Sequence, residues 1–469
     1  MDERVMTRTE ALMHEVRGRI AGRALAPGDR LPSIRRFASA MDVSPSTVVE
    51  AYDRLAAEGV IRARPGSGFY VTAHHQPPMV LGAPRARDVD PFWVSRQSLD
   101  AENSVPKPGC GWLPADWMPH SALRKGLRKL ARAGDAMLCD YGSTRGSPAL
   151  RRVLIARFAE EGLDVTPGQV MLTGSGTQAI DLVCRMLLRP GDTVLVDDPC
   201  YFNFLALLRA HQVKVVGVPY TPTGPDIAAF DNILATERPR LYITNSGLHN
   251  PTGASLTSQA AYRVLSAAAA HDLTIVEDEI FADFDPASSA RLAVPDGLNR
   301  VIRVGSFSKT LSASVRCGYI AARADWIEGL TDLQIATGFG GPSPVATELI
   351  AGVLAGGSYR KHMEEVRRRL VRARKDAAQR LAPLDIVPWL MPRGGYYLWC
   401  RLPDGIDSAA LARRAMADGI VLAPGNVFSV SQSAGEFMRF NVAQMADRRI
   451  TAVIKSAIEQ EREAGAEPR

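Results

Sequence analysis

The chain has 469 residues, too many for one ordinary domain and enough for two or three. It is 46% hydrophobic and 23% charged, the balance of a soluble globular protein, which excludes a wholly disordered, collagen-like or low-complexity chain. With 56 Lys+Arg against 50 Asp+Glu the formal charge is +6, which permits a nucleic-acid partner without demanding one.

The first residues, Met1-Asp2-Glu3-Arg4, are charged and lack the apolar core of a signal peptide. Leu12, Val16 and Ile20 then recur at helical spacing. Pro27-Gly28-Asp29 closes a turn, and Ser33 caps a short second helix carrying Arg35 and Arg36. Ser44 is an N-cap, with Pro45 in the first turn of a third helix that runs to about Glu58; Gly59 suits its stop. Two short strands, 60–63 and 68–71, flank Arg64-Pro65-Gly66-Ser67. Pro77, Pro78, Pro84 and Pro91 mark a stretch without sustained period, read as a linker.

Beyond it, β-branched apolar runs at 193–196, 213–218, 241–244, 273–276 and 301–304 alternate with helical stretches, the pattern of a mostly parallel sheet covered on both faces. After about residue 325 a long charged helix (359 to about 381) and strands near 395–401 and 437–442 suggest a smaller α+β lobe. The expected division is 1–72, a linker over 73–107, a large domain over 108–325 and a small domain over 326–469. The six cysteines are scattered, so no zinc ribbon or Cys-x-x-Cys motif is written, no metal site is expected, and a reducing cytoplasm is. No apolar run approaches the ~18 residues of a spanning helix, so no membrane partner is expected.

Helix, turn and capped second helix match a helix-turn-helix with 44–58 in the recognition position. Ser44, Ser46 and Thr47 stand at its N-terminus, where hydroxyls and free N–H groups meet phosphate. Ser33, Arg35 and Arg36 belong to the preceding helix, and Arg64 and Gly66 to a tip that brings an arginine and bare backbone close to a groove. Each arginine alone is more simply a solvated surface residue. The string GDRLPSIRRFASAMDVSPSTVVEAYDRLAAEGVIRARPGSGFYV, however, resembles the winged helix-turn-helix of the GntR family of bacterial regulators over about 8–72. The resemblance implies a double-stranded DNA operator as partner. Residues 1–72 hold eleven Arg and no Lys against nine Asp+Glu, a weak field that calls for two modules and specific base contacts.

In the body, Lys309 lies in Ser306-Phe307-Ser308-Lys309-Thr310 with Arg316 seven residues on; such a lysine at a strand end can hold an aldehyde cofactor as a Schiff base beside groups suited to phosphate. Asp278 at another strand end can pair with a pyridinium nitrogen, and Asn250 in Asn-Pro-Thr-Gly can donate to a phenolate. Ser175, Gly176 and Thr177 open a helix and form a phosphate cradle, and Tyr201 can stack on a flat ring. Arg439, among apolar neighbours on a late strand, needs an anion: an effector carboxylate or a structural salt bridge.

The order Gly-Ser-Gly-Thr, Asp-Pro-x-Tyr, Asn-Pro-Thr-Gly, Asp, Ser-x-Ser-Lys and distant Arg resembles the fold-type I, class I aminotransferases over roughly 108–460, as do the stretches 141–146 and 394–399. Fused to a GntR-type reader, it resembles the MocR subfamily of transcription regulators. That resemblance implies pyridoxal 5′-phosphate on Lys309, Asp278 at its pyridinium, Asn250 at the ring oxygen and Tyr201 stacked. It places Ser175, Gly176, Thr177, Ser306, Ser308 and Arg316 around the phosphate, Tyr141 reaching the partner subunit's phosphate, and Arg439 on the carboxylate of an amino effector. It further implies a homodimer.

One departure stands out: where the family often has a tyrosine three residues after the aspartate, this chain has Phe281, with Ile280 at the alternative position. A lost donor implies cofactor binding with at most weak transamination. The alternatives are a working aminotransferase with an appended reader, and a regulator whose body is only a dimerisation scaffold.

Overall fold

The computed structural model describes residues 7–21, 25, 28–64, 66–72, 89–102, 104–287 and 289–466. The expected prolines 27 and 65, the first four residues and the linker stretch 73–88 lie outside the described residues. The chain forms two compact units, one ending at Arg87 and one beginning at Asp88.

The first unit holds α1 (Arg8–Ala21), α2 (Ile34–Met41), α3 (Pro45–Ala57) and an antiparallel hairpin of β1 (Ile61–Arg64) and β2 (Gly68–Val71). Arg30 bridges to Tyr70 and extends the hairpin. Both caps read from the sequence are made: Ser33 accepts from the Arg36 amide and Ser44 from the Thr47 amide. Apolar spacing puts Leu12 and Val16 of α1 against Phe37 of α2 and Val48, Ala51, Tyr52 and Leu55 of α3, with Ile61 and Val71 closing the core under the hairpin. The Tyr52 hydroxyl is satisfied by donating to the Pro32 carbonyl at 3.0 Å.

The second unit opens where a linker was expected. Residues Pro91–Asp100 form a helix, α4, capped by Asp90, which accepts from the Trp93 amide. Pro91 belongs to the first turn of this helix rather than to an extended spacer. Val94 and Trp93 pack with Phe202, Trp399 and Phe428, so apolar burial holds this segment on the body.

The large sheet is built from β3 (Val170–Thr173), β4 (Thr193–Asp198), β5 (Lys214–Thr221), β6 (Gly224–Pro225), β7 (Leu241–Thr244), β8 (Thr274–Asp278), β9 (Val301–Ser306) and β10 (Gly318–Ala321). Its order is β3-β10-β9-β8-β7-β4-β5-β6. The pairs among β5, β4, β7, β8 and β9 are parallel, and β10 runs antiparallel to both β9 and β3. Strands β3, β4, β7, β8 and β9 therefore end at one edge, where an open α/β sheet places its ligand site. The small lobe carries β11 (Val387–Pro388), β12 (Tyr397–Arg401), β13 (Ala423–Pro424) and β14 (Phe437–Asn441) in the order β11-β12-β14-β13.

The expected start of the small domain at 326 cuts a helix, Ala324–Gly338, that packs on the Gly176–Leu187 helix of the large sheet. The next helix, Pro344–Ala355, also packs on large-domain helices, so the change of lobe comes at the long helix Ser358–Leu381. Among the described residues no helix is long and apolar enough to cross a membrane.

Candidate ligand site and nucleic-acid interface

A cavity of ≈ 260 Å³ opens at the carboxyl edge of the large sheet. Lys309, Asp278, Asn250 and Tyr201, each from a different strand end, line it. So do Ser175, Gly176, Thr177, Ser306, Ser308, Arg316 and Arg439. The structure thus brings together every body residue singled out in the sequence except Tyr141, which is 82% exposed and meets the edge of Phe339 at 5.0 Å between ring centroids.

Two titratable groups are displaced toward each other's range. Burial pushes the Lys309 amine down to about 8; Cys110 and Asp278 oppose this, and Arg439 and Arg316 reinforce it. Burial pushes the Asp278 carboxyl up to about 7, against the Ile280 amide, which donates to it at 3.1 Å. A buried amine near neutrality suits carbonyl chemistry, and a buried carboxyl suits a cationic ring nitrogen.

At the other wall, the Ser175 hydroxyl caps the Gly176–Leu187 helix, accepting from the Gln178 amide at 3.0 Å. This helix end comes close to the sheet because a Cβ on Gly318 would stand 2.6 Å from the Ser175 carbonyl carbon. Ser306 donates to the Cys317 carbonyl at 3.1 Å and lies 3.0 Å from the Ser308 hydroxyl. Arg316 is exposed and held in the left-handed region (φ 49°).

Arg439 on β14 is 1% exposed. Its Nη1 donates to Asn250 Oδ1 at 2.9 Å and its Nη2 to the Gly109 carbonyl at 2.8 Å, while Nε has no partner among the described residues. Its guanidinium lies 4.1 Å from the Tyr397 ring centroid and 4.7 Å from that of Phe428. No carboxylate pairs with it among the described residues, so the structural salt bridge weighed from the sequence is not what Arg439 makes. The contact with Asn250 also orients that amide: with Oδ1 held by arginine, Nδ2 is left as the donor.

Several lining residues carried no signal read from the sequence. Gly109, Gly111 and Trp112 come from the segment after α4, and Ser95, Ser98 and Leu99 from α4 itself. Gly109 allows a close crossing, since a Cβ there would stand 2.3 Å from the Leu422 carbonyl carbon. The Gly-Cys-Gly run was the available clue. Phe281 lines the cavity as well, its ring edge-on to Tyr397 at 5.5 Å.

In the first unit, Ser33, Arg35, Arg36, Ser44, Ser46, Arg64 and Gly66 are exposed and Thr47 is half-buried. The Ser44 hydroxyl lies 2.8 Å from that of Ser46 and 2.7 Å from that of Thr47. Arg64 stacks over Tyr70 at 4.4 Å. Arg62 on the same hairpin is exposed too and was not singled out.

A winged helix-turn-helix and a body of the pyridoxal-phosphate transferase fold are therefore joined in one chain. Residues 117–456 match the family "Aminotransferase class I and II", and residues 8–71 match "Bacterial regulatory proteins, gntR family". The chain belongs to the aminotransferase class I and II family and carries a GntR-type DNA-binding domain, the MocR arrangement. The HTH-type transcriptional regulator YdcR of Escherichia coli, an uncharacterized protein, is 27% identical over 96% of this chain and 98% of its own. The HTH-type transcriptional regulator NorG of Staphylococcus aureus is 27% identical over 86% of this chain and 94% of its own. Among solved structures, the α-aminoadipate aminotransferase LysN of Thermus thermophilus, complexed with N-(5′-phosphopyridoxyl)-L-leucine, shares the fold. It matches with a TM-score of 0.71 at 24% identity, over 79% of this chain and 95% of that one. Kynurenine aminotransferase of Pyrococcus horikoshii matches at 0.69 and 23%, over 78% and 92%.

Proposed function

We propose that this chain is a DNA-binding transcription regulator whose body binds pyridoxal 5′-phosphate and senses an amino acid, an amine or a B6 vitamer. One observation supports the reading: the cavity sets the Lys309 amine against a buried guanidinium, Arg439, that no carboxylate among the described residues neutralises. An α-amino acid offers the matching pair, an amino group for carbonyl chemistry and a carboxylate for the arginine.

When bound, the cofactor supplies an aldehyde that condenses with amines and a ring that withdraws electrons. The residues present fit it. Lys309 offers an amine half unprotonated near pH 8. Asp278 offers a buried carboxyl to a ring cation, Asn250 an amide N–H, and Tyr201 an aromatic wall. Ser175, Gly176, Thr177, Ser306, Ser308 and Arg316 offer the polar wall that a phosphate needs. Arg439 grips the effector carboxylate. Tyr141 and Phe339, both exposed and in contact, suit an apolar face covered by a second copy of the chain, with Tyr141 completing the partner subunit's phosphate site. Ser33, Arg35, Arg36, Ser44, Ser46, Thr47, Arg64 and Gly66 contact operator DNA. The regulator works in the cytoplasm.

The full-length protein incubated with pyridoxal 5′-phosphate is expected to develop a visible band that borohydride traps as a pyridoxyl adduct on Lys309. Candidate amino acids or vitamers are expected to shift that band and, at the same concentrations, operator affinity. No adduct on Lys309 would overturn the cofactor reading, and a shifted band with unchanged operator affinity would overturn the sensing. A catalytic reading is favoured by the joint presence of Lys309, Asp278 and Arg439 in one cavity; sustained amino-group turnover would establish it.

A further inference from the structure

Phe281 removes a phenol from the cavity wall, yet a second phenol stands beside it. Tyr397, the first residue of β12, lines the same cavity, and its ring lies edge-on to Phe281 at 5.5 Å between centroids. The side chain is 5% exposed. Its neighbour Tyr396 donates to the Gly111 carbonyl at 3.1 Å, and the two phenol hydroxyls are also hydrogen-bonded to each other, which holds the Tyr397 hydroxyl at the cavity wall.

Gly111 locates the Tyr397 hydroxyl. A Cβ on this residue would stand 3.4 Å from the Tyr397 hydroxyl oxygen and 3.7 Å from the Lys309 Nζ. Phenol and amine thus flank one small gap that a glycine leaves open. The other phenol of the cavity, Tyr201, belongs to a different wall, its ring packed on Phe202 and Phe204 at 5.1 and 5.3 Å. Burial pushes the Tyr397 phenol up, opposed by Arg439, so near neutral pH it remains a protonated donor.

We propose that Tyr397, reaching in from the small lobe, supplies the phenolic donor that Phe281 cannot, and sets the proton affinity at Lys309. The proposal rests on the cavity holding pyridoxal phosphate. It places the donor on a different lobe from Asp278 and Lys309, so that proton control depends on the two lobes being closed upon each other.

The test reads a spectrum rather than turnover. The visible band of the cofactor-loaded, full-length protein is titrated with pH for wild type, Tyr397→Phe, Phe281→Tyr and the double variant. Losing a donor leaves more negative charge in reach of the nitrogen's proton, so Tyr397→Phe is expected to raise the midpoint by about one pH unit, tenfold in the protonation equilibrium. Adding Phe281→Tyr to that variant is expected to bring it back. Tyr262→Phe, an exposed phenol outside the cavity, is the control and is expected to leave the midpoint in place. An unchanged midpoint in Tyr397→Phe, or an equal shift in Tyr262→Phe, would overturn the proposal. Should Tyr397→Phe fold poorly, Gly111→Ala fills the gap from the other side, and an unmoved midpoint there overturns it equally. A wild-type protein that forms no band would instead refute the cofactor reading.

Discussion

A guanidinium taken out of water costs several kcal/mol unless an anion arrives, and among the described residues Arg439 meets an amide, a carbonyl and aromatic faces but no carboxylate. Replacing it should therefore weaken ligand binding without weakening the fold. Arg439→Leu is expected to lower affinity for α-amino acids roughly 100-fold, within the range for unpairing a buried charge. The cofactor band and the ligand-free melting temperature should persist; calorimetric titration and thermal melts check this. The two displaced groups give opposite pH windows. Between about 8 and the ordinary 10.5 the unfolded chain holds the extra proton of Lys309, so its contribution to ligand-free stability rises with pH there. Between the ordinary 3.8 and about 7 the folded chain holds the extra proton of Asp278, so its contribution falls as pH rises. The rate of cofactor attachment is accordingly expected to climb with pH to about 8 and then level off, and stopped-flow absorbance follows it. Local pattern was enough to single out eleven of the cavity's residues: most sit beside strand ends marked by turn chemistry, and Arg439 stands out by its apolar neighbours within β14. Tyr397 and Gly111 escaped because their role is set by which side chains meet across lobes.

The element that departs most from expectation is α4. Proline spacing suggested extended chain, but Asp90 as cap and Val94 as apolar anchor make a helix of the last part of the presumed linker. The helix both lines the cavity, through Ser95, Ser98 and Leu99, and packs Val94 with Phe202 and Phe428, the rings beside Arg439. It is also the element that continues into the stretch leading to the DNA-binding unit, which makes it the shortest covalent route from ligand to reader. Val94→Ala removes two buried carbons, about 1.5 kcal/mol of packing. The variant is expected to retain the ligand-induced spectral shift while its operator affinity responds less to ligand. An operator titration at fixed effector checks this, and an undiminished response would assign the coupling elsewhere. In the first unit the caps at Ser33 and Ser44 and the hairpin were legible because capping and turns are local. Arg35→Ala with Arg36→Ala is expected to weaken DNA binding evenly across sequences, with the salt dependence reduced by about one unit of slope per lost phosphate contact.

For the molecule as a whole, a reader with eleven arginines against nine acids attracts DNA weakly by charge alone. Two readers carried by a paired body would raise the effective concentration of the second and strengthen binding by about 10²–10⁴-fold. Residues 1–72 expressed alone, if folded by circular dichroism, should bind the operator weaker by that factor than the full chain. Fluorescence anisotropy at constant salt measures the difference, and sedimentation reports whether the full chain is dimeric under the same conditions. Equal affinities would argue against paired binding.

Local pattern along the chain was sufficient for the winged helix-turn-helix, the parallel strands and the strand-end motifs, since caps, turns and alternation act over a few residues. The antiparallel strand β10, the placement of the Ala324–Gly338 helix on the large sheet and the docking of α4 were decided by packing between distant segments. Arg439 shows the same division most sharply. Its apolar neighbours on β14 announced a buried cation, but whether an acid waited opposite depended on residues 189 and 330 positions away, and there the chain supplies Asn250 and the Gly109 carbonyl. Burial and partner are properties of the folded surroundings, so the need for an anion was legible in the sequence, and the lack of a pairing acid among the described residues was not.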